Sequence, residues 1–355
     1  MTHPEALIAP FETPLGLSLR FLDVPIRVLT NDPAVWSALR SYYAAYAAPD
    51  DEPPVAVVRL IQGEVHPDAE FVDIERGRGR KVKEAVRDVP HGRLILKRST
   101  GVVMGLWPGH ACAVGDLRAN LNQGINLINA CYAKAILRRG HLLLHASGVS
   151  WNGRAAVLAG PPGAGKSTAA LHLVEECFRF LSNDRVLAKP RTGGVEALGY
   201  PKKPRVNPGT LLHHPRLSAL LDPDDHARLS ALAPAALWEL ERKRDVDLEA
   251  FYGPDAVELC VEMQALVLLK WHRDGQGFAV RRLEPAEALA NLPLFQKDLG
   301  VFDLDCPARA GRSPERAVDR LSRFADLLGR VRVVEITGRA DFAALVDAVG
   351  DLLFR

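Results

Sequence analysis

An α/β fold built around a mixed sheet is predicted by three features of this 355-residue chain. The first is GPPGAGKST at 160–168, flanked by a short apolar run, RAAVLAG (154–160), and by STAALHLVEECF (167–178), whose apolar residues recur at helical spacing. The second is Asn152-Gly153, set between HLLLHASGVSW (141–151) and the apolar run before the glycines. The third is the end of the chain, where RAVDRLSRFADLL (316–328), VRVVEIT (331–337) and DFAALVDAVGDLLF (341–354) read as helix, strand and helix.

The glycine-rich run fits the P-loop pattern G-x-x-x-x-G-K-[ST], in the strand–turn–helix setting which that chemistry requires. Glycines let successive backbone N–H groups curl around a phosphate, and the helix N-terminus adds its positive end. Lys166 is placed to reach the β- and γ-phosphates, and the Ser167 hydroxyl to hold Mg²⁺. The expected nucleotide-binding residues are Gly160, Pro161, Pro162, Gly163, Ala164, Gly165, Lys166, Ser167 and Thr168, and the expected cofactors are ATP and Mg²⁺. Asn-Gly between apolar runs is a strong hairpin signal, because both turn positions need positive φ. The loop strand is therefore expected to pair antiparallel with the strand before it. A doubly wound nucleotide-binding sheet would instead give it parallel neighbours.

The other elements follow in chain order. LSLRFLDVPIRVLTN (17–31) reads as two strands, PAVWSALRSYYAAY (33–46) as a helix and PPVAVVRLI (53–61) as a strand. The basic stretch 75–87 reads as an exposed loop, its 76–83 cluster solvated or else a docking patch for an acidic partner. RLILKRSTGVVMGLW (93–107) reads as a hairpin turning near Ser99-Thr100-Gly101. A long helix is expected over 117–139, stopped by Gly140. This places a boundary near residue 116, with a small α/β region at 1–116 and the P-loop domain at 117–355. FRFLSNDRVLAKP (178–190) reads as a strand carrying an acidic residue, GYPKKPRVNPGTLL (199–212) as a proline-bound cationic loop, 210–250 as a helix-rich insertion and VEMQALVLLKWH (261–272) as an apolar strand.

Composition excludes several classes. Apolar residues make up 48% and charged residues 25%, and the formal net charge is only +2, so no global field points to nucleic acid or a membrane as partner. MTHPEALIAPFETP has no basic region followed by a long apolar stretch, and no run is long enough to span a bilayer. Cys112, Cys131, Cys177, Cys260 and Cys306 are scattered without a C-x-x-C pair, which reads as reduced thiols in a cytoplasm. His213-His214 lack metal-ligand spacing to any Cys, Asp or Glu cluster.

Phosphoryl transfer to an alcohol needs a base near the phosphates and cations around them. Asp184, 18 positions after Lys166 on a strand expected beside the loop, is the candidate base and metal-linked carboxylate; capping a strand end or pairing with Arg185 is the alternative. Asn183 beside it is a candidate to orient a water or ligand. His145, in the strand before the loop strand, is read either as a hydrogen-bonded core residue or as part of the site. Lys202, Lys203 and Arg205, stiffened by Pro201, Pro204 and Pro208, suit a transferred phosphoryl group, or else form a solvated loop.

The run HASGVSWNGRAAVLAGPPGAGKSTAALHLVEECFRFLSNDRVL (145–187) resembles the HPr kinase/phosphorylase family. The resemblance is closer to HPr-kinase-related kinase B, through LNQGINLINACYAKAILRRGHLLLHASGV (121–149), PKKPRVNPGTLLHHP (201–215) and DVDLEAFYGP (245–254). It implies a core of the HPr kinase and phosphoenolpyruvate carboxykinase type, with Asp184 as the acid/base of the family's aspartate pair and His145 as its strand histidine near the phosphates. Glu196 stands where the family has a metal-linked glutamate, but Leu198 replaces an arginine there. Asn183 replaces the first aspartate of the pair, and PKKPRVNPG replaces the glycine-rich C-terminal signature, so the phosphorylase half-reaction and the HPr substrate are not carried over. The resemblance implies transfer of a γ-phosphoryl group to a hydroxyl acceptor, with a serine-type protein or peptide side chain as the expected substrate. Lys166 and Mg²⁺ would hold the γ-phosphate, and Lys202, Lys203 or Arg205 would stabilise the charge in flight. A small-metabolite kinase and an ATP-driven switch are the alternatives, and assembly as a homo-oligomer is left open.

Overall fold

The computed structural model describes residues 3–65, 70–75, 81–240, 242–272, 274–306 and 314–354. The chain forms two compact units, Met1–Arg139 with Asp298–Ala317, and Gly140–Lys297 with Val318–Arg355. Among the described residues no helix is long and apolar enough to cross a membrane.

The first unit is an α/β layer. Its sheet runs Leu15–Phe21, Val24–Thr30, Ala56–Gln62, His110–Gly115, Val103–Trp107, Gly92–Lys97, Glu84–Val89 and Val72–Asp73 in spatial order. Strict alternation of buried and half-buried residues in Val24–Thr30 fits one covered face. Helix Leu121–Arg138 covers that sheet, burying Ile125, Ile128, Tyr132 and Ile136 at three- and four-residue spacing. The compact units therefore divide after Arg139 rather than near residue 116, because this helix packs on strands of the N-terminal sheet. Part of the expected 75–87 loop is strand: Glu84–Val89 pairs with Gly92–Lys97. Residues 76–80 of the basic cluster lie outside the described residues. The buried Arg93 guanidinium bonds Asp88 and the carbonyls of Val301, Asp303 and Cys306, which fixes the returning 298–306 segment in this unit.

The second unit carries the glycine-rich run on a mixed sheet. The loop strand Arg154–Ala159 pairs antiparallel with Ala146–Trp151 and parallel with the central strand Cys260–Leu269. Asn152 (φ 48°) and Gly153 (φ 76°) make the tight turn between Trp151 and Arg154, as the Asn-Gly signal predicts. Beyond Ala146–Trp151 lies Arg179–Ser182; the central strand also pairs with Gly194–Gly199 and Arg332–Gly338. The loop strand is covered on both faces: Ala155, Val157 and Ala159 enter one core, Ala156 and Leu158 the other. That explains its unbroken apolar run. Helices Lys166–Glu175 and Phe342–Phe354 cover the second face, while Phe324, Leu327 and Leu328 of helix Pro314–Leu328 enter the first core.

Two expected strands are each split. The 141–151 stretch forms Leu142–Leu144 and Ala146–Trp151, which pair with different partners and leave His145 at the break. The 178–190 stretch forms Arg179–Ser182 and Val186–Arg191, leaving Asn183 and Asp184 between them. Asp184 thus sits on a bend and not on a strand, with a left-handed φ of 68°. The proline-bound loop also holds order: Arg205–Val206 pairs with Arg244–Asp245, and Pro208–His213 is a short helix.

Gly153→Ala meets no atom within 4 Å but keeps a positive φ, so it is expected to cost about 1 kcal/mol. A Cβ at Gly199 would lie 2.0 Å from the Leu181 carbonyl oxygen, so Gly199→Ala must move backbone and should cost more. Urea unfolding of both variants checks this order; equal losses would contradict it.

Candidate active site

Backbone geometry shapes the loop first. Gly163 (φ 83°) and Gly165 (φ 77°) hold left-handed conformations that side chains resist, and a Cβ at Gly160 would meet the Leu269 carbonyl oxygen at 2.6 Å. Gly165 caps helix Lys166–Glu175, so that helix aims its N-terminal turn at the loop. Trp271 donates its indole N–H to the Ala164 carbonyl at 2.8 Å, and the Thr168 and Thr210 hydroxyls meet at 3.0 Å. Lys166 Nζ donates to the carbonyls of Gly160 (2.9 Å) and Pro161 (3.1 Å), crossing the loop it belongs to. Burial pushes the Lys166 pKa down; the charge of Asp184 opposes this, and Lys297 and Lys243 add to it.

Opposite the loop, the broken strand presents Asn183 and Asp184. Asn183 Oδ1 accepts from the hydroxyls of Ser167 (2.6 Å) and Ser147 (3.0 Å). The bend itself is fixed by Ser182, whose hydroxyl donates to the Arg185 carbonyl and accepts from Tyr200 N–H. The side chain of Asp184 is 54% exposed, and three side chains meet it: His145 Nε2 at 3.2 Å, Lys297 Nζ at 3.3 and 3.4 Å, and Arg185 Nε at 3.5 Å. Desolvation works against ionisation of Asp184, yet the His145 hydrogen bond, Lys297 and Arg185 outweigh it and hold the carboxyl far below its ordinary range.

One small bridge seats two of these partners. Leu144 pairs with Gln296, His145 N–H donates to the Phe295 carbonyl at 2.6 Å, and Lys297 N–H donates to the Leu143 carbonyl at 3.0 Å. His145 is therefore directed to Asp184 by the strand break, and Lys297 arrives beside it from the far side of the bridge.

The proline-bound cations separate into two groups. Lys203 is paired with Asp247 at 2.5 Å and Arg205 with Asp245 at 3.0 Å, so both tie the proline loop to the 244–247 segment. Lys202 is the member whose charge is coupled to Asp184 and Arg185. Burial first, then Arg185, push its ammonium down to about 8 against the pull of Asp184. Glu196 belongs elsewhere: His141 at 2.8 Å and Arg191 at 2.6 Å hold it, and Leu198 beside it is buried.

Sequence reading missed Lys297, which is 113 residues from Asp184 and stands in no motif. Ser147 was missed as well, because the strand break at His145 removes the regular alternation that would have linked the two positions. The oxygen donors here are the Ser167 hydroxyl, the Asn183 carbonyl and the Asp184 carboxylate. Among the described residues no group of three or more His, Cys, Asp or Glu converges on one point. That fits Mg²⁺ delivered with phosphate, which takes one or two protein oxygens and keeps phosphate and water ligands. It does not fit a dedicated all-protein cage.

Lys202 also sets a pH dependence. Its ordinary value is 10.5 and its folded value about 8, so between these the unfolded chain binds the extra proton and stability rises with pH. Compared with Lys202→Met, wild type should gain stability in urea unfolding between about pH 8 and about pH 10. A constant difference would show that Lys202 is not held in this surrounding.

No protein-family model and no curated protein matches the chain. Among solved structures it is similar to the HPr(Ser) kinase/phosphatase from Coxiella burnetii, at 10% identity and a TM-score of 0.29, over 59% of this chain and 88% of that one. A likeness of that size leaves the function to be argued from the side chains themselves.

Proposed function

We propose that the chain is an ATP-dependent phosphotransferase of HPr-kinase-like type that moves the γ-phosphoryl group of Mg·ATP to a hydroxyl acceptor, a serine-type side chain of a protein or peptide. One observation carries this reading. The glycine loop and the Asn183-Asp184 bend meet directly, joined by the hydrogen bond from the Ser167 hydroxyl to Asn183 Oδ1 at 2.6 Å.

The chemistry then divides among residues already described. The loop amides and Lys166 bind the phosphates, and the left-handed glycines let the backbone approach them closely. Ser167 and Asp184 are the residues that would hold Mg²⁺, which when bound neutralises phosphate charge. Asp184, ionised at neutral pH, takes the proton of the acceptor hydroxyl. A carboxylate held so acidic is a weak base. That suffices for a loose phosphoryl transition state, in which positioning and charge outweigh proton abstraction. His145 holds the Asp184 carboxylate in place, and Lys202 supplies positive charge on the acceptor side.

A second reading differs in the acceptor alone. The half-buried Lys202 of the cationic proline loop would suit an anionic small molecule as the hydroxyl carrier.

γ-Labelled ATP added to an extract of the host separates the two. A labelled protein band supports the first reading and a labelled metabolite the second, while label released only as inorganic phosphate contradicts both. Asp184→Asn should reduce transfer by about a hundredfold or more while nucleotide binding persists. Lys166→Ala should weaken Mg·ATP binding by about tenfold or more, and unchanged affinity would contradict the loop assignment.

A further inference from the structure

Lys297 belongs to no motif, yet it reaches the carboxylate at the centre of the site. Its Nζ lies 3.3 and 3.4 Å from the two oxygens of Asp184. Both separations exceed the roughly 2.7–2.9 Å of a strong charge-assisted bond, so the cation is shared between the oxygens and not locked to one. Its backbone is firmly anchored: the N–H donates to Leu143, and the carbonyl accepts from Arg320 at 2.5 Å. The position of the residue is fixed, while a four-carbon stem carries the charge.

We propose that Lys297 is a further catalytic residue, whose ammonium rests on Asp184 before nucleotide binds and engages the oxygens of the transferring phosphoryl group during reaction. This rests on the phosphotransferase reading above. In the step, the bond from the γ-phosphorus to the β,γ-bridging oxygen breaks and its electron pair leaves with ADP. The acceptor oxygen forms the new P–O bond and passes its proton to Asp184. Lys297 stays protonated throughout.

Geometry gives this arrangement a function beyond neutralising a surface acid. Asp184 directly follows Asn183, whose Oδ1 accepts from the Ser167 hydroxyl of the glycine loop at 2.6 Å. The Lys297 ammonium therefore stands on the carboxylate next to the phosphate-binding turn.

The test is the affinity for Mg·ADP alone and for Mg·ADP with aluminium fluoride, a mimic of the transferring group, measured by titration calorimetry. Lys297→Met should weaken the aluminium fluoride complex by about tenfold or more and change Mg·ADP alone by less than about twofold. Lys297→Arg should recover most of the loss. Lys297→Gln, which keeps a donor but not the charge, should show the same selective loss should the methionine variant fail to fold. Equal weakening of both complexes, or no weakening, overturns the proposal while leaving the phosphotransferase reading intact. Failure of the wild type to bind Mg·ADP overturns the phosphotransferase reading, and this proposal with it.

Discussion

Everything distinctive about the site depends on the carboxylate of Asp184 and the side chains of His145, Lys297 and Arg185 gathered on it. The residue sits at a left-handed φ of 68°, a conformation that costs roughly 1 kcal/mol and that Asp tolerates better than most. Ser182 bridges that bend to both flanking segments, and Arg185, next in sequence, stands over the Tyr200 ring. The strand break is thus a built feature. It turns Asp184 out of the sheet towards His145, Lys297 and Arg185, and sets Asn183 against Ser167 of the glycine loop.

The energetics indicate what the cluster is for. The side chains of His145, Lys297 and Arg185 are 26–28% exposed and that of Asp184 is 54% exposed. Ion pairs this open contribute on the order of 0–1 kcal/mol to stability. The sheet is held instead by apolar residues buried on both of its faces, with Ala155 to Ala159 at their centre. The groups around Asp184 thus set the charge of that carboxylate, while the apolar faces hold the sheet. Lys203 and Arg205 show the contrasting use of cations: each is spent on an aspartate of the 244–247 segment and braces a loop.

Much of this was legible in the sequence where local rules decide the outcome. Asn152-Gly153 dictated the hairpin, and the glycine spacing dictated a left-handed loop before a helix, because both follow from backbone sterics. The strand breaks at His145 and at Asn183-Asp184 were not legible. Each is imposed by the different partners of the strands on either side, a long-range effect with no local signature. The same reason hid Lys297, which is carried in by a bridge between segments more than 150 residues apart. The edge of the first unit was misplaced because the helix after residue 116 has an ordinary amphipathic pattern, and which sheet it covers is decided in three dimensions.

The central claim is that the loop and Asp184 are the two halves of one phosphotransfer site. A crystal structure with Mg²⁺ and a non-hydrolysable ATP analogue tests it most directly. The account requires the phosphates to lie on the amides of 163–168, with the γ-phosphate turned towards Asp184 and Lys297. A nucleotide bound elsewhere, or a γ-phosphate facing away from Asp184, would contradict it.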